Sequence, residues 1–183
     1  IVKNSTVSAR TAIYFPPLTG KLIIENSTVT GVNNAIVIKG GEVEISGDST
    51  VIHATGEPKP IEKPYGGDPN NPGSFPVSGS AVYVEGGYKA SDGSSPRPIQ
   101  VNIQGGTFKS DRSAALWGNF LDKDAQTIQV TGGKFSTKPD EDYISTGYEA
   151  TTTDNETWTV GPKADGGMEV TKPETSGGSV SST

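Results

Sequence analysis

Three groups of side chains in this 183-residue chain have types and spacings that could do chemistry. Glu42 and Glu44 stand two apart in GEVEIS, so on a strand both carboxylates leave the same face, and Asp48 lies a few residues on. Hard oxygen ligands of this kind suit calcium, while a solvated strand face accounts for the same residues without any ion. Arg10 and Arg112 each follow an apolar segment, with Asn33 between them in repeat order; a basic stripe there would pair the carboxylates of uronic acids. Tyr65, Phe75, Tyr83 and Tyr88 gather in one third of the chain, where exposed rings would stack on pyranose faces or, more simply, pack loops onto a core.

The remaining reactive residues narrow the chemistry. No cysteine is present, which excludes thiol catalysis, disulfides and thiolate metal sites. His53 is the single histidine, and a metal there would need carboxylates for every other ligand. Asp122 and Asp124 lie two apart in NFLDKDAQ, a loop in this reading, and no adjacent aspartate pair offers the acid and base of a glycosidase. No catalytic residue is assigned, and no cofactor is expected beyond calcium at Glu42, Glu44 and Asp48.

An internal repeat organises the elements that hold these residues. Thr6-Val7 returns as Thr28-Val29 and Thr50-Val51, two steps of 22 residues, then as Thr107-Phe108 and Lys134-Phe135. A second motif keeps pace: AIYF from Ala12, AIVI from Ala35, AVYV from Ala81 and AALW from Ala114. Each first motif is preceded by an alternating run, as in Val43 and Ile45, Val101 and Ile103, or Ile128 and Val130, which means one buried and one wet face. Gly105-Gly106 and Gly132-Gly133 supply the intervening turn. A unit this small cannot bury its own apolar face, but stacked copies can. The expected fold is all-β, a short parallel β-helix of about four to five rungs with Val7, Val29, Val51, Phe108 and Phe135 pointing inward. An antiparallel sandwich shares the strand periodicity but does not require equivalent residues to return at a fixed step.

The column spans residues 1–142, with two insertions in the third rung at about 57–79 and 88–98. The first is dense in proline and so leaves the stack. Residues 143–160 read as a C-terminal hairpin that covers the last rung, and 161–183, with no Leu, Ile or aromatic residue, as a flexible tail. Composition agrees with this division: 24 Gly and 13 Pro disfavour helices, and only 31% hydrophobic residues suits a narrow, repeated core better than a rounded one. A net charge of −6 gives no electrostatic reason to bind nucleic acid, and no segment has the length and apolarity for membrane insertion. The opening IVKNSTVSA looks like the middle of a pattern, so the chain is expected to be part of a longer polypeptide.

Three stretches carry a family resemblance: AIVIKGGEVEISGDSTV, IQGGTFKSDRSAALW and VTGGKFSTKPDEDYISTGYEATTTDNETWTV. They resemble the right-handed parallel β-helix (pectate-lyase-like) repeats in exported surface proteins of Gram-positive gut bacteria. The resemblance implies secretion or cell-surface display and a non-catalytic role as adhesin or spacer, with a polysaccharide or host-surface glycan as partner. It carries over no catalytic residue. The enzyme-class alternative is a polysaccharide lyase or glycoside hydrolase acting on acidic polysaccharide. Three or more carboxylates converging on one outer face would favour it, and a face of Gln, Asn and Thr would count against it.

Overall fold

The computed structural model describes residues 1–56, 77–88 and 96–164, and within them the chain is all-β apart from one 3-10 turn at Glu141–Tyr143. The insertion residues 57–76 and 89–95, and most of the expected tail, lie outside the described residues. Strands β1 (Val2–Lys3), β3 (Lys21–Glu25), β5 (Gly41–Ser46), β8 (Ile99–Ile103) and β11 (Gln126–Val130) form one wholly parallel sheet in that order. A second sheet takes the strands between them: β2 (Thr6–Phe15), β4 (Thr28–Ile38), β6 (Val51–Ala54), β7 (Val82–Glu85), β9 (Thr107–Ser110), β10 (Leu116–Asn119) and β12 (Gly133–Phe135). These also pair in parallel, and the sheet becomes mixed only where β13 (Tyr148–Thr151) and β14 (Trp158–Pro162) add antiparallel to β12.

Register follows the repeat. In the first sheet Val2 faces Ile24, Leu22 faces Val43, Val43 faces Val101 and Val101 faces Ile128, so like aliphatic stands over like. In the second sheet two ladders run side by side. One stacks Val7, Val29, Ile52, Phe108 and Phe135, the other Ile13, Ile36, Val82 and Leu116. Apart from Val7, their inward side chains join one continuous core with those of the first sheet. Phe108 and Phe135 stack with ring centroids 4.7 Å apart. Burial falls toward the first strands: Val29, Ile36 and Ile38 are fully buried, whereas Val7, Ile13 and Phe15, one step below them, are half-buried.

One inward position differs from the sequence reading. Thr28 pairs with Val51 rather than Thr50, so Ile52 enters the core and Val51 is half-exposed. The turn after β5 holds four residues, Gly47 to Thr50, where the turn after β3 holds two, Asn26 and Ser27. Thr50 is consumed in closing that longer turn: its N–H donates to the Gly47 carbonyl at 3.0 Å and its hydroxyl to the Ser46 carbonyl. The second step of 22 is thus a coincidence of residue type, a threonine and a valine recurring one place away from the structural equivalents.

The Gly-Gly turns behave as their sequence requires. Gly106 and Gly133 sit at φ 102° and 109° just before β9 and at the start of β12, a region that disfavours side chains. Asn26 takes the left-handed conformation (φ 48°) in the corresponding turn after β3.

Candidate functional site

The carboxylates proposed for calcium are already matched by a cation of the chain itself. Register sets Lys21 on β3 opposite Glu42 on β5, and its Nζ lies 2.9 Å from Glu42 Oε1 and 2.6 Å from Glu44 Oε1. Those bonds, Glu44 first and then Glu42, raise the lysine's pKa. Asp48 stands exposed in the turn beyond the strand and does not join them. Among the described residues no group of three or more His, Cys, Asp or Glu is placed to hold a metal ion. The expected calcium triad therefore does not assemble, because the neighbouring strand delivers an ammonium between the two glutamates.

On β8 and β11 the outward positions are Gln100, Asn102, Thr127 and Gln129, an uncharged ladder, while at the other end of the sheet Lys3 on β1 and Glu25 on β3 form an ion pair. His53 pairs across the ladder with Lys109, and its Nε2 lies 2.9 Å from Asp111 Oδ1, with Lys109 Nζ 3.2 Å from the same oxygen. The His53 bond is the main reason the Asp111 carboxyl is held below its usual value. Asp122 and Asp124 form a local turn in which Asp122 Oδ1 accepts the Asp124 N–H at 3.0 Å. Arg10 and Arg112 are both exposed, but three strand steps separate them along β2, β4, β6 and β9, about 14 Å at the usual interstrand spacing. Val32 and Gly56 lie between, so the arginines do not make a continuous basic stripe.

Of the aromatic group, Tyr65 and Phe75 fall outside the described residues, and Tyr83 and Tyr88 are buried rather than presented to a ligand. The reason is a polar cluster that the sequence reading missed. Lys39 and Glu85, one residue beyond equivalent apolar segments on adjacent strands, are completely buried and their Nζ and Oε2 lie 2.9 Å apart. Lys39 Nζ also donates to the Tyr88 hydroxyl at 2.8 Å, and that hydroxyl donates on to Glu85 Oε2. Tyr83 donates to Glu85 Oε1 at 3.2 Å while accepting from Asn119 Nδ2 at 3.0 Å. The Lys39 ammonium further lies 4.9 Å from the Tyr88 ring centre and 5.5 Å from that of Tyr14. Burial, then the Glu85 charge, raises the Tyr14 pKa. A signal was available: AIVIK, AVYVE and LWGN put Lys39, Glu85 and Asn119 at the same repeat position, which makes them cross-strand neighbours.

A second unforeseen feature is a groove of about 570 Å³ where β11, the last strand of the parallel sheet, meets the segment after β12. Its walls are Leu121, Tyr143 and Ile144, its rim is Lys123, Asp140 and Asp142, and Gln129 projects beside it. Tyr143 stands between this groove and a second hollow of about 380 Å³ that reaches Trp117 and Lys138. The half-buried phenol has its pKa raised by burial and then by Asp140, and its hydroxyl leans toward the Gly118 carbonyl. A Cβ on Gly118 would come within 2.4 Å of the Tyr143 hydroxyl oxygen and 2.7 Å of the Leu121 terminal methyl, so both side-chain ends would have to move to admit one. Leu121 enters the groove from Phe120, held at φ 54°, backbone that a bulky residue adopts at a cost of about 1–3 kcal/mol.

The floor is a sheet edge. The bonds from Ile99 N–H to the Ala125 carbonyl and from Thr131 N–H to the Ile103 carbonyl show that odd-numbered residues of β11 face β8. Even-numbered residues face the groove. Gln126 N–H is taken by the Asp122 carbonyl and the Val130 carbonyl by Ser145 N–H, and among the described residues the edge between them is open at Ile128, whose N–H and C=O point into the groove. Family models, curated proteins and solved structures were each compared with the chain, and none matched.

Proposed function

We propose that the chain is a short right-handed parallel β-helix and serves as a non-catalytic module of a secreted or cell-surface bacterial protein. It acts as an adhesin or spacer, and the insertions of its third repeat contact a polysaccharide or host-surface glycan. The observation carrying this reading is a parallel sheet with one wet face. Open parallel sheets are ordinarily covered on both sides by crossover helices. Here the crossovers between successive strands of the first sheet run through strands of the second, each returning one interstrand step further along. Right-handed crossovers are the strong preference for parallel strands. The uncharged outer ladder of Gln100, Asn102, Thr127 and Gln129 favours a binding or spacing role over acid–base chemistry.

Within the insertions, Tyr65 and Phe75 are the rings left for stacking on sugars once Tyr83 and Tyr88 are committed to the buried cluster. Glycan-array binding tests this directly, comparing the intact chain with one in which residues 57–79 are replaced by a short turn. The expected result is a loss of about tenfold or more in polysaccharide affinity, equivalent to about 1.4 kcal/mol. Equal binding by both would remove the insertion from the contact surface, and binding by neither would leave the spacer role.

A further inference from the structure

We infer that the groove beside Tyr143 is a second saccharide site, separate from the insertions and selective for neutral rather than acidic sugars. The inference rests on the glycan-binding reading above and extends it to the edge of β11 and the segment after β12. The groove joins three things that a pyranose needs. The half-exposed Tyr143 ring and Leu121 offer an apolar wall for the C–H face of the sugar. Ile128 offers one backbone donor and one acceptor side by side on the floor, a match for a hydroxyl pair that both gives and takes hydrogen bonds. Gln129, Asp142 and Lys123 surround the opening with further donors and acceptors.

Other classes of occupant fit less well. A peptide adding to the sheet needs several consecutive edge residues, but this edge is closed at one end by Asp122 and at the other by Ser145, leaving a slot one residue long. A cation would find Asp142 Oδ2 already 2.7 Å from Lys123 Nζ and Asp140 Oδ1 accepting the Asp142 N–H at 2.9 Å. A uronic acid would meet a rim on which Asp140 and Asp142 outnumber Lys123. A neutral polyhydroxyl ligand is the class that meets both the open backbone pair and the acidic rim without repulsion.

The test uses short neutral hexose oligosaccharides, with oligogalacturonate as the acidic comparison, titrated calorimetrically into the full chain and into the chain carrying the turn in place of residues 57–79. Both should bind a neutral oligosaccharide and neither should prefer the uronate. In the chain carrying the turn, Tyr143→Ala should weaken neutral binding by about tenfold or more, while Tyr143→Phe, which keeps the ring, retains it. Far-UV circular dichroism on the Ala variant checks that the fold is kept, and Gln129→Ala, at an exposed strand position, gives a second reading that does not disturb packing. Neutral binding that vanishes with the insertion alone overturns the groove and leaves the insertion reading standing, and neutral binding by the turn-carrying chain that survives both Tyr143→Ala and Gln129→Ala overturns the groove. Binding that depends on Tyr143 but not on the insertion does the reverse. Preference for the uronate overturns the neutral specificity, and absence of all binding overturns both sites.

Discussion

Lys39 and Glu85 illustrate how much a single pair of residues can depend on its surroundings. Both are removed entirely from water, so the ammonium and carboxylate compensate each other's desolvation, with Tyr83 and Tyr88 satisfying the remaining lone pairs and protons. Removing one partner leaves a buried charge without its counterion. Glu85→Ala is expected to cost about 3–5 kcal/mol in urea unfolding, whereas the double change Lys39→Met with Glu85→Leu should recover most of that loss. Equal destabilisation by the single and double variants would contradict this account. The Asp111 carboxylate makes a gentler prediction. Its pKa is lowered in the fold by His53 and then by Lys109, so its contribution is present above the ordinary carboxylate value of about 4 and lost as pH falls through the lower folded value. Thermal melts between neutral pH and pH of about 3 should show the parent chain's advantage over Asp111→Asn shrinking as the solution is acidified, not as it is made alkaline.

At the scale of elements, the turns decide which residues the strands bury. The four-residue turn after β5 moves β6 by one place relative to the repeat, and Ile52 takes the inward position between Val29 and Phe108. Ile52→Ala should therefore cost about 2–5 kcal/mol in denaturant unfolding, and Val51→Ala about 1 kcal/mol or less. The opposite order would restore the register read from the sequence. Gly118 in β10 sets a different constraint, because its missing side chain is the seat of Tyr143. Gly118→Ala should displace the tyrosine ring and reduce saccharide binding at the groove, with little change in binding through the insertion.

For the whole molecule, what matters is how the stack ends. The antiparallel pair of β13 and β14 covers the edge of β12, and Val160 is buried against the core that Phe135 would otherwise expose. Terminating the chain after Thr146 should uncover that edge and promote association, visible as species larger than a monomer in size-exclusion chromatography with light scattering. Among the described residues the parallel sheet has no such cover at β11, where Asp122 and Ser145 close the edge locally and the groove lies between them.

The amino-acid sequence alone determined the all-β class, the alternation of buried and exposed positions in the strands before each turn, and the repeat. These follow from local chemistry: period-two aliphatics, paired glycines and the stacking of like residues need no knowledge of distant partners. The tertiary structure decided what depends on register and on neighbours across strands. It moved one core position from Val51 to Ile52 through the length of a single turn. It set Lys21 between Glu42 and Glu44 in place of an ion, and it drew Tyr83 and Tyr88 inward to a Lys39–Glu85 pair that the sequence reading did not single out. The groove at Tyr143 was invisible for the same reason. Leu121, Ile128 and Tyr143 are scattered along the chain, and only the meeting of a strand edge with a returning segment gives them a common surface.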